Sequence, residues 1–137
     1  MNPSPMPFVT SLYAGLIALL LVVLALRVSL NRRRAAVGIG DGGDAVLARA
    51  VRAHANAVEW ALPVLLLLLV TELVRAPVGM LHVAGIALVA ARVLHAIGLS
   101  SSAGYSRGRF LGILLNWLVL VVLALYDIVA FARYAMA

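Results

Sequence analysis

The side chains best suited to chemistry are Arg52, Asn56 and Glu59, in the run Arg52-Ala53-His54-Ala55-Asn56-Ala57-Val58-Glu59, together with Arg92 and His95 in Ala91-Arg92-Val93-Leu94-His95. On an α-helix turning about 100° per residue, Arg52, Asn56 and Glu59 fall at about 0°, 40° and −20°, with Arg49 and Pro63 within about 60° of the same line. They form one polar stripe. His54, at about 200°, looks toward a different neighbour. Arg92 and His95 are three residues apart and share a helix face. Ionisable groups inside apolar segments cost about 2.5 to 3.5 kcal/mol each on insertion scales, so they face a bundle interior or a wet cavity. An Arg52–Glu59 pair, or an Arg92 that snorkels to the interface, explains any one of these residues alone. Neither explains the additional Asn and second Arg. A suitable ligand would be small, with carboxylates for bidentate arginine contacts, an amine for Glu59 and an amide for Asn56.

The elements that must position these residues follow from composition. The chain has 137 residues, of which 65% are hydrophobic and 12% charged, with a mean hydropathy of +1.11. Soluble chains average about 45 to 50% apolar and about 25% charged. A membrane protein is therefore expected, and at ~20 apolar residues per span four spans leave only short connections. The expected fold class is all-α, a single polytopic four-transmembrane-helix domain over residues 1–137, with spans at about 8–30, 45–74, 79–97 and 109–134. Phe8 to Leu26 is read as a retained first span rather than a signal peptide, because Met1 to Pro7 carries three prolines and no basic residue. Asn31 to Asp44, with Arg32, Arg33, Arg34 and a Gly-rich stretch, is the first expected loop, and Asp44 is placed to cap the second helix. Pro63 predicts a bend in that helix. Arg75 to Gly79 reads as a turn and Gly98 to Gly108 as a second polar loop. Gly15, Gly79, Gly85 and Gly112 suit close helix packing.

The charged residues are eleven arginines, no lysine and five acids, a net +6 with His neutral. Arg27, Arg32, Arg33, Arg34, Arg49, Arg52, Arg92, Arg107 and Arg109 lie toward one end of the expected spans, whereas only Arg75 and Arg133 lie toward the other. Basic loops stay cytoplasmic. Both termini are therefore expected outside and both polar loops inside. This arginine excess is a topology signal and not a nucleic-acid signature. Cysteine is absent, so any thiol chemistry must use a thiol brought by a substrate.

The R-x-H-x-N-x-x-E run with a proline four residues after the Glu, the Ala91 to His95 segment and the four-span length resemble the MAPEG family, the membrane-associated proteins of eicosanoid and glutathione metabolism. The Gly38-Ile39-Gly40-Asp41-Gly42-Gly43-Asp44 loop and the Arg109-Phe110-Leu111-Gly112 opening of the fourth helix resemble its bacterial branch. The likeness runs from Phe8 to Tyr134. It implies a homotrimer of four-helix protomers in the bacterial inner membrane, with glutathione as co-substrate bound between neighbouring subunits at the cytoplasmic side. With two carboxylates, one ammonium and two peptide groups, glutathione also suits the polar groups above, although residue spacing alone does not single it out among small zwitterionic anions. The family's glutathione contacts fall on Arg52, Asn56, Glu59 and Arg92, with His95 one turn on. Arg27 or Arg32 stands where some members use a first-helix arginine. The thiolate-stabilising arginine falls on Arg109, with Arg107 second. Position 55 is alanine, where some members carry an extra basic residue.

The activity implied is a glutathione transferase or peroxidase acting on a lipophilic small molecule from the lipid bilayer. The alternative is a non-catalytic membrane protein that holds an anionic lipid or metabolite in the same basic pocket. A transporter is disfavoured by the absence of an inverted repeat or paired broken helices. Tyr105, Trp60 and Trp117 read first as interfacial anchors or packing, with Tyr105 and Ser106 second candidates to donate toward a sulfur. Asn116 reads first as a cross-helix hydrogen-bonding residue and second as a pocket-lining one, and His82 as isolated. His54, His82 and His95 lie on separate faces or levels, so no metal site is expected. No Lys-Ser/Thr follows the Gly-rich loop, so it is not a P-loop.

Overall fold

The computed structural model describes residues 6–101 and 104–136. Pro3 and Pro5, used above against a signal peptide, and Ser102 and Ala103 of the second polar loop lie outside the described residues. Four helices follow in order: α1 (Phe8–Ala35), α2 (Ala45–Leu73), α3 (Val78–Ser101) and α4 (Arg107–Ala135). Each is long and apolar enough to cross a membrane. The protein is all-helical, as its composition requires.

Helix α1 outruns the expected first span. Its 28 residues make a rod of about 42 Å against a hydrocarbon core of about 30 Å, so its end projects beyond the apolar layer. Arg32, Arg33 and Arg34 are therefore helical and not loop residues. Arginine is a good helix former, and cations in a last turn complement the helix dipole. The helix stops at Ala36, whose backbone is left-handed at φ 54°. There the N–H of Val37 donates to the Arg32 carbonyl at 3.1 Å and that of Ala36 to Arg33 at 3.3 Å, satisfying carbonyls the helix end would leave free. Arg32 then donates to the carbonyls of Gly38 and Gly40 at 3.1 and 2.9 Å, organising the Gly-rich loop.

Asp44 caps α2 as expected, accepting from the backbone N–H of Val46 and Leu47 at 2.8 Å each and pairing with Arg34 at 2.8 Å. The Leu47 N–H, followed by Val46 and the Arg34 guanidinium, holds the Asp44 carboxyl below its ordinary 3.8, against a smaller upward push from partial desolvation. Helix α2 continues through Pro63. It presents Ala50, Ala53, Ala57 and Ala61, all buried, as a small-residue stripe along which neighbouring backbones can approach closely.

The connection between α3 and α4 is shorter than the expected Gly98 to Gly108 loop, since α3 runs to Ser101 and α4 starts at Arg107. Glycine signalled a loop here, but these glycines instead permit helix contact. A Cβ on Gly98 would come within 2.5 Å of the Arg109 nitrogen, and one on Gly108 within 3.0 Å of the Leu94 carbonyl oxygen.

Helices α2 and α3 form the middle of the bundle, each touching both α1 and α4, while α1 and α4 do not touch among the described residues. The core gathers Tyr13 and Ile17 of α1, Val64 and Leu68 of α2, Leu88 of α3 and Leu123 of α4. Tyr13 rests on Gly85, where an added Cβ would overlap its ring. Cross-helix bonds set the directions. The Glu72 carboxylate at the end of α2 accepts from the backbone N–H of Val9 and Thr10 at 2.9 and 2.7 Å. It thereby caps α1, whose own Pro7 offers no side-chain cap. Tyr13 donates to the His82 carbonyl at 3.1 Å and lies 2.9 Å from its Nδ1, so α1 and α3 run the same way. The end of α1, start of α2, end of α3 and start of α4 therefore share one arginine-rich end.

Candidate functional site

At that end the organising residue is Arg92, which is 1% exposed. It donates through Nη1 to Asn56 Oδ1 at 3.2 Å and through Nη2 to the Gly112 carbonyl at 3.2 Å. Its Nε finds no partner among the described residues. Gly112 makes this possible: an added Cβ would stand 2.7 Å from both the Ala91 carbonyl oxygen and the His95 nitrogen, so α3 and α4 meet backbone to backbone. Arg92 thus ties α2, α3 and α4 together and fixes which way the Asn56 amide points. Its planar fork serves two acceptors in fixed directions, a geometry that the compact, rotatable ammonium of a lysine does not hold.

Beside this tie lies a cavity of about 630 Å³, lined by Asn56 and Trp60 of α2, His95 of α3, Tyr105 and Ser106 of the connection, and Arg109, Phe110, Ile113 and Trp117 of α4, with Gly104 at its rim. Small-molecule sites commonly occupy about 300 to 1,000 Å³ and combine an apolar lining with a few convergent polar groups. Both conditions hold here. The half-buried Arg109 is held by an Nη1 bond to the Gly104 carbonyl at 2.8 Å. The Trp60 and Trp117 rings, 6.0 Å apart and tilted by 56°, form an aromatic wall. The lining therefore offers an amide, an imidazole, two hydroxyls and a guanidinium beside an aromatic surface.

The sequence-predicted residues separate into three groups. Asn56, His95 and Arg109 line the cavity, with Arg92 directly behind Asn56. Arg52 and Glu59 stand on α2 with side chains 62% and 52% exposed, 3.8 Å apart, and pair with each other. Arg107 is exposed at the first position of α4 and is not on the cavity wall. Arg27 lies in another groove, between α1 and α3, where it donates to Ser100 Oγ.

Phe110 and Ile113 were not anticipated in the lining, although Arg109, Ile113 and Trp117 recur at four-residue spacing, which places them on one helix face. Trp60 and Trp117, read as interfacial anchors or packing residues, pack against each other and also line the cavity wall. Asn116 differs from expectation: it is fully buried, yet neither its Oδ1 nor its Nδ2 finds a partner among the described residues. At the opposite end, sequence reading missed the Glu72 cap of α1, the Tyr13–His82 contact and the 2.8 Å bond from Thr71 Oγ1 to Asp127 Oδ1. Each depends on residues more than fifty positions apart.

Comparison with known proteins agrees with this architecture. The family model described as MAPEG family matches residues 10–129. Inner membrane protein YecN of Escherichia coli (strain K12) is 36% identical over 120 residues, covering 88% of this chain and 90% of that protein, and its counterpart in Escherichia coli O6:H1 matches to the same extent. The name of these relatives states a location and no reaction. With four helices able to span a bilayer and a match over most of its length, the chain is an integral inner membrane protein of the MAPEG family.

Proposed function

We propose that this protein binds glutathione in the cavity at the arginine-rich end and activates its thiol, either for transfer to a lipophilic electrophile or for reduction of a lipophilic hydroperoxide. The observation that carries the reading is the Arg109 guanidinium on the wall of a cavity of about 630 Å³ that also holds Asn56, His95 and Ser106. These polar groups suit a small peptide, and the Trp60, Phe110 and Trp117 surface suits an apolar second substrate.

Arg109 stands near the sulfur. A thiol of ordinary pKa near 8.5 is only a few per cent ionised at neutral pH, and lowering it by about two units takes about 2.7 kcal/mol of preferential anion stabilisation. A fixed guanidinium in a poorly solvated site supplies an effect of that order. Asn56 meets a peptide group and Arg92 positions Asn56. In a transferase step the thiolate sulfur bonds to the electrophilic carbon, and the leaving group departs with its electron pair. In a peroxidase step two glutathiones are oxidised to the disulfide while the hydroperoxide is reduced to an alcohol and water.

The protomers act as a homotrimer in this reading. Its support is the exposure of Arg52 and Glu59 on a membrane-spanning helix, where charged side chains require cover. A neighbouring copy against that face lets the pair reach the termini of a glutathione shared between subunits. Both polar loops face the cytoplasm, following the nine-to-two arginine distribution. Arg107 is the lesser candidate for the sulfur, because it is off the wall. Arg27 is left out of this cavity, because it lines a different groove.

The test is a titration of purified protein with glutathione, followed by calorimetry and by the ultraviolet absorbance of the thiolate. Binding with a thiolate band that disappears in Arg109→Ala and persists in Arg107→Ala supports the proposal. Binding without a band, or no binding, overturns it. The competing reading, a non-catalytic holder of an anionic lipid headgroup or metabolite, would then account for the cavity.

A further inference from the structure

Between α1 and α3, on the side of α3 away from the cavity described above, runs a second groove of about 420 Å³. Leu20, Val23 and Leu24 of α1 face Val93, Ala96 and Ile97 of α3 along its length. Its polar residues are confined to one end: Arg27, Ser100 and Ser101. Because α1 and α3 run in the same direction, both walls change from apolar to polar at the same level, over about 10 Å of helix rise from Leu20 to Arg27. Among the described residues, the only hydrogen bond of the Arg27 side chain is the one to Ser100 Oγ, which leaves most of its five donors free. Arg32, Arg33 and Arg34 continue the positive charge beyond it on the same helix, and no acidic residue lines the groove.

We propose that this groove is a binding site for one anionic phospholipid, with an acyl chain lying along Leu20, Leu24 and Ala96 and the phosphate held by Arg27 with the Ser100 hydroxyl, the Ser101 hydroxyl being engaged with the Gly98 carbonyl at 3.2 Å. Charge complementarity selects the occupant. An apolar trough closed by a guanidinium and a hydroxyl matches a lipid with an apolar tail and an anionic head, and basic pockets between transmembrane helices are recognised sites for such headgroups. A zwitterionic lipid brings its own ammonium to the same arginines and is disfavoured. Within the chain this groove shares no lining residue with the first cavity, and its occupancy can be measured with no glutathione present.

The experiment is native mass spectrometry of the detergent-purified protein titrated with phosphatidylglycerol or with phosphatidylcholine of the same acyl chains. Phosphatidylglycerol adducts are expected to form at lower concentration and to survive higher collision energy. Arg27→Gln should weaken phosphatidylglycerol retention roughly fivefold, the factor corresponding to about 1 kcal/mol per basic residue, while Arg75→Gln at the far end leaves it unchanged. Val23→Trp, at an exposed position on the groove mouth, should also reduce retention by filling the trough. Equal retention of the two lipids, or unchanged retention in Arg27→Gln, overturns the proposal. So does a Val23→Trp variant that dissociates into smaller assemblies while keeping its lipid, because the groove would then be covered by a second copy of the chain.

Discussion

Arg92 carries an unusual burden for a single side chain: it is buried in an apolar bundle and its two acceptors are an amide and a backbone carbonyl, with no carboxylate partner among the described residues. Hydrogen bonds from a charged group contribute about 1.5 to 3 kcal/mol, so Arg92→Lys, which keeps the charge but loses the planar fork that holds both acceptors in place, should weaken the proposed glutathione binding by about tenfold. If Arg92 acts by orienting Asn56, the thiolate band at saturating glutathione survives in Arg92→Lys; titration that shows the band itself lost would make Arg92 a sulfur contact instead. Asp44 gives a second residue-scale expectation. Its folded carboxyl titrates below the ordinary 3.8, so the stability it contributes is present above that value and lost as pH falls through the folded pKa. Melting followed by circular dichroism should therefore find the wild type ahead of Asp44→Asn at neutral pH, with the gap closing in acid. A gap of constant size at every pH would show that the carboxylate charge is irrelevant to the cap.

Glycines decide the element scale. Gly85 has the Tyr13 ring against it, whereas Gly15 and Gly79 have nothing within 4 Å. Sequence alone treats the four packing candidates alike; the structure divides them, since only Gly85 and Gly112 lie at close helix contacts. Overpacking a tight contact costs about 1 to 3 kcal/mol. Gly85→Ala should lower stability by that amount in detergent unfolding assays, while Gly15→Ala and Gly79→Ala, with open space for the added Cβ, cost nothing and gain up to about 1 kcal/mol of helix propensity. Comparable losses in all three variants would mean that backbone effects, and not the Tyr13 contact, dominate. The same physics explains the misplaced second loop: Gly98 and Gly108 look like loop formers in one dimension, but they are where two helices press together.

For the whole molecule, the nine-to-two division of arginines makes orientation testable without background, because the chain has no cysteine. Ile39, at the tip of the first connection and 94% exposed, can be replaced by cysteine. The positive-inside rule predicts that a membrane-impermeant maleimide labels Ile39→Cys only after the cells are opened. Labelling in intact cells would reverse the topology. What the sequence by itself determined was everything set by local spacing: four apolar helices, the shared face of Arg92 and His95, the cap at Asp44 and the concentration of basic residues toward one end. These follow from helical periodicity and from the cost of charge in an apolar layer, both readable along one strand. Only the tertiary structure decided that Asn56 turns to Arg92 while Arg52 and Glu59 remain exposed, that Arg109 reaches the cavity and Arg107 does not, and that Arg27 belongs to a separate groove. Those outcomes depend on how far one helix slides and rotates against the next. That register is set by glycine and alanine contacts between distant segments, and no periodicity within a single helix encodes it.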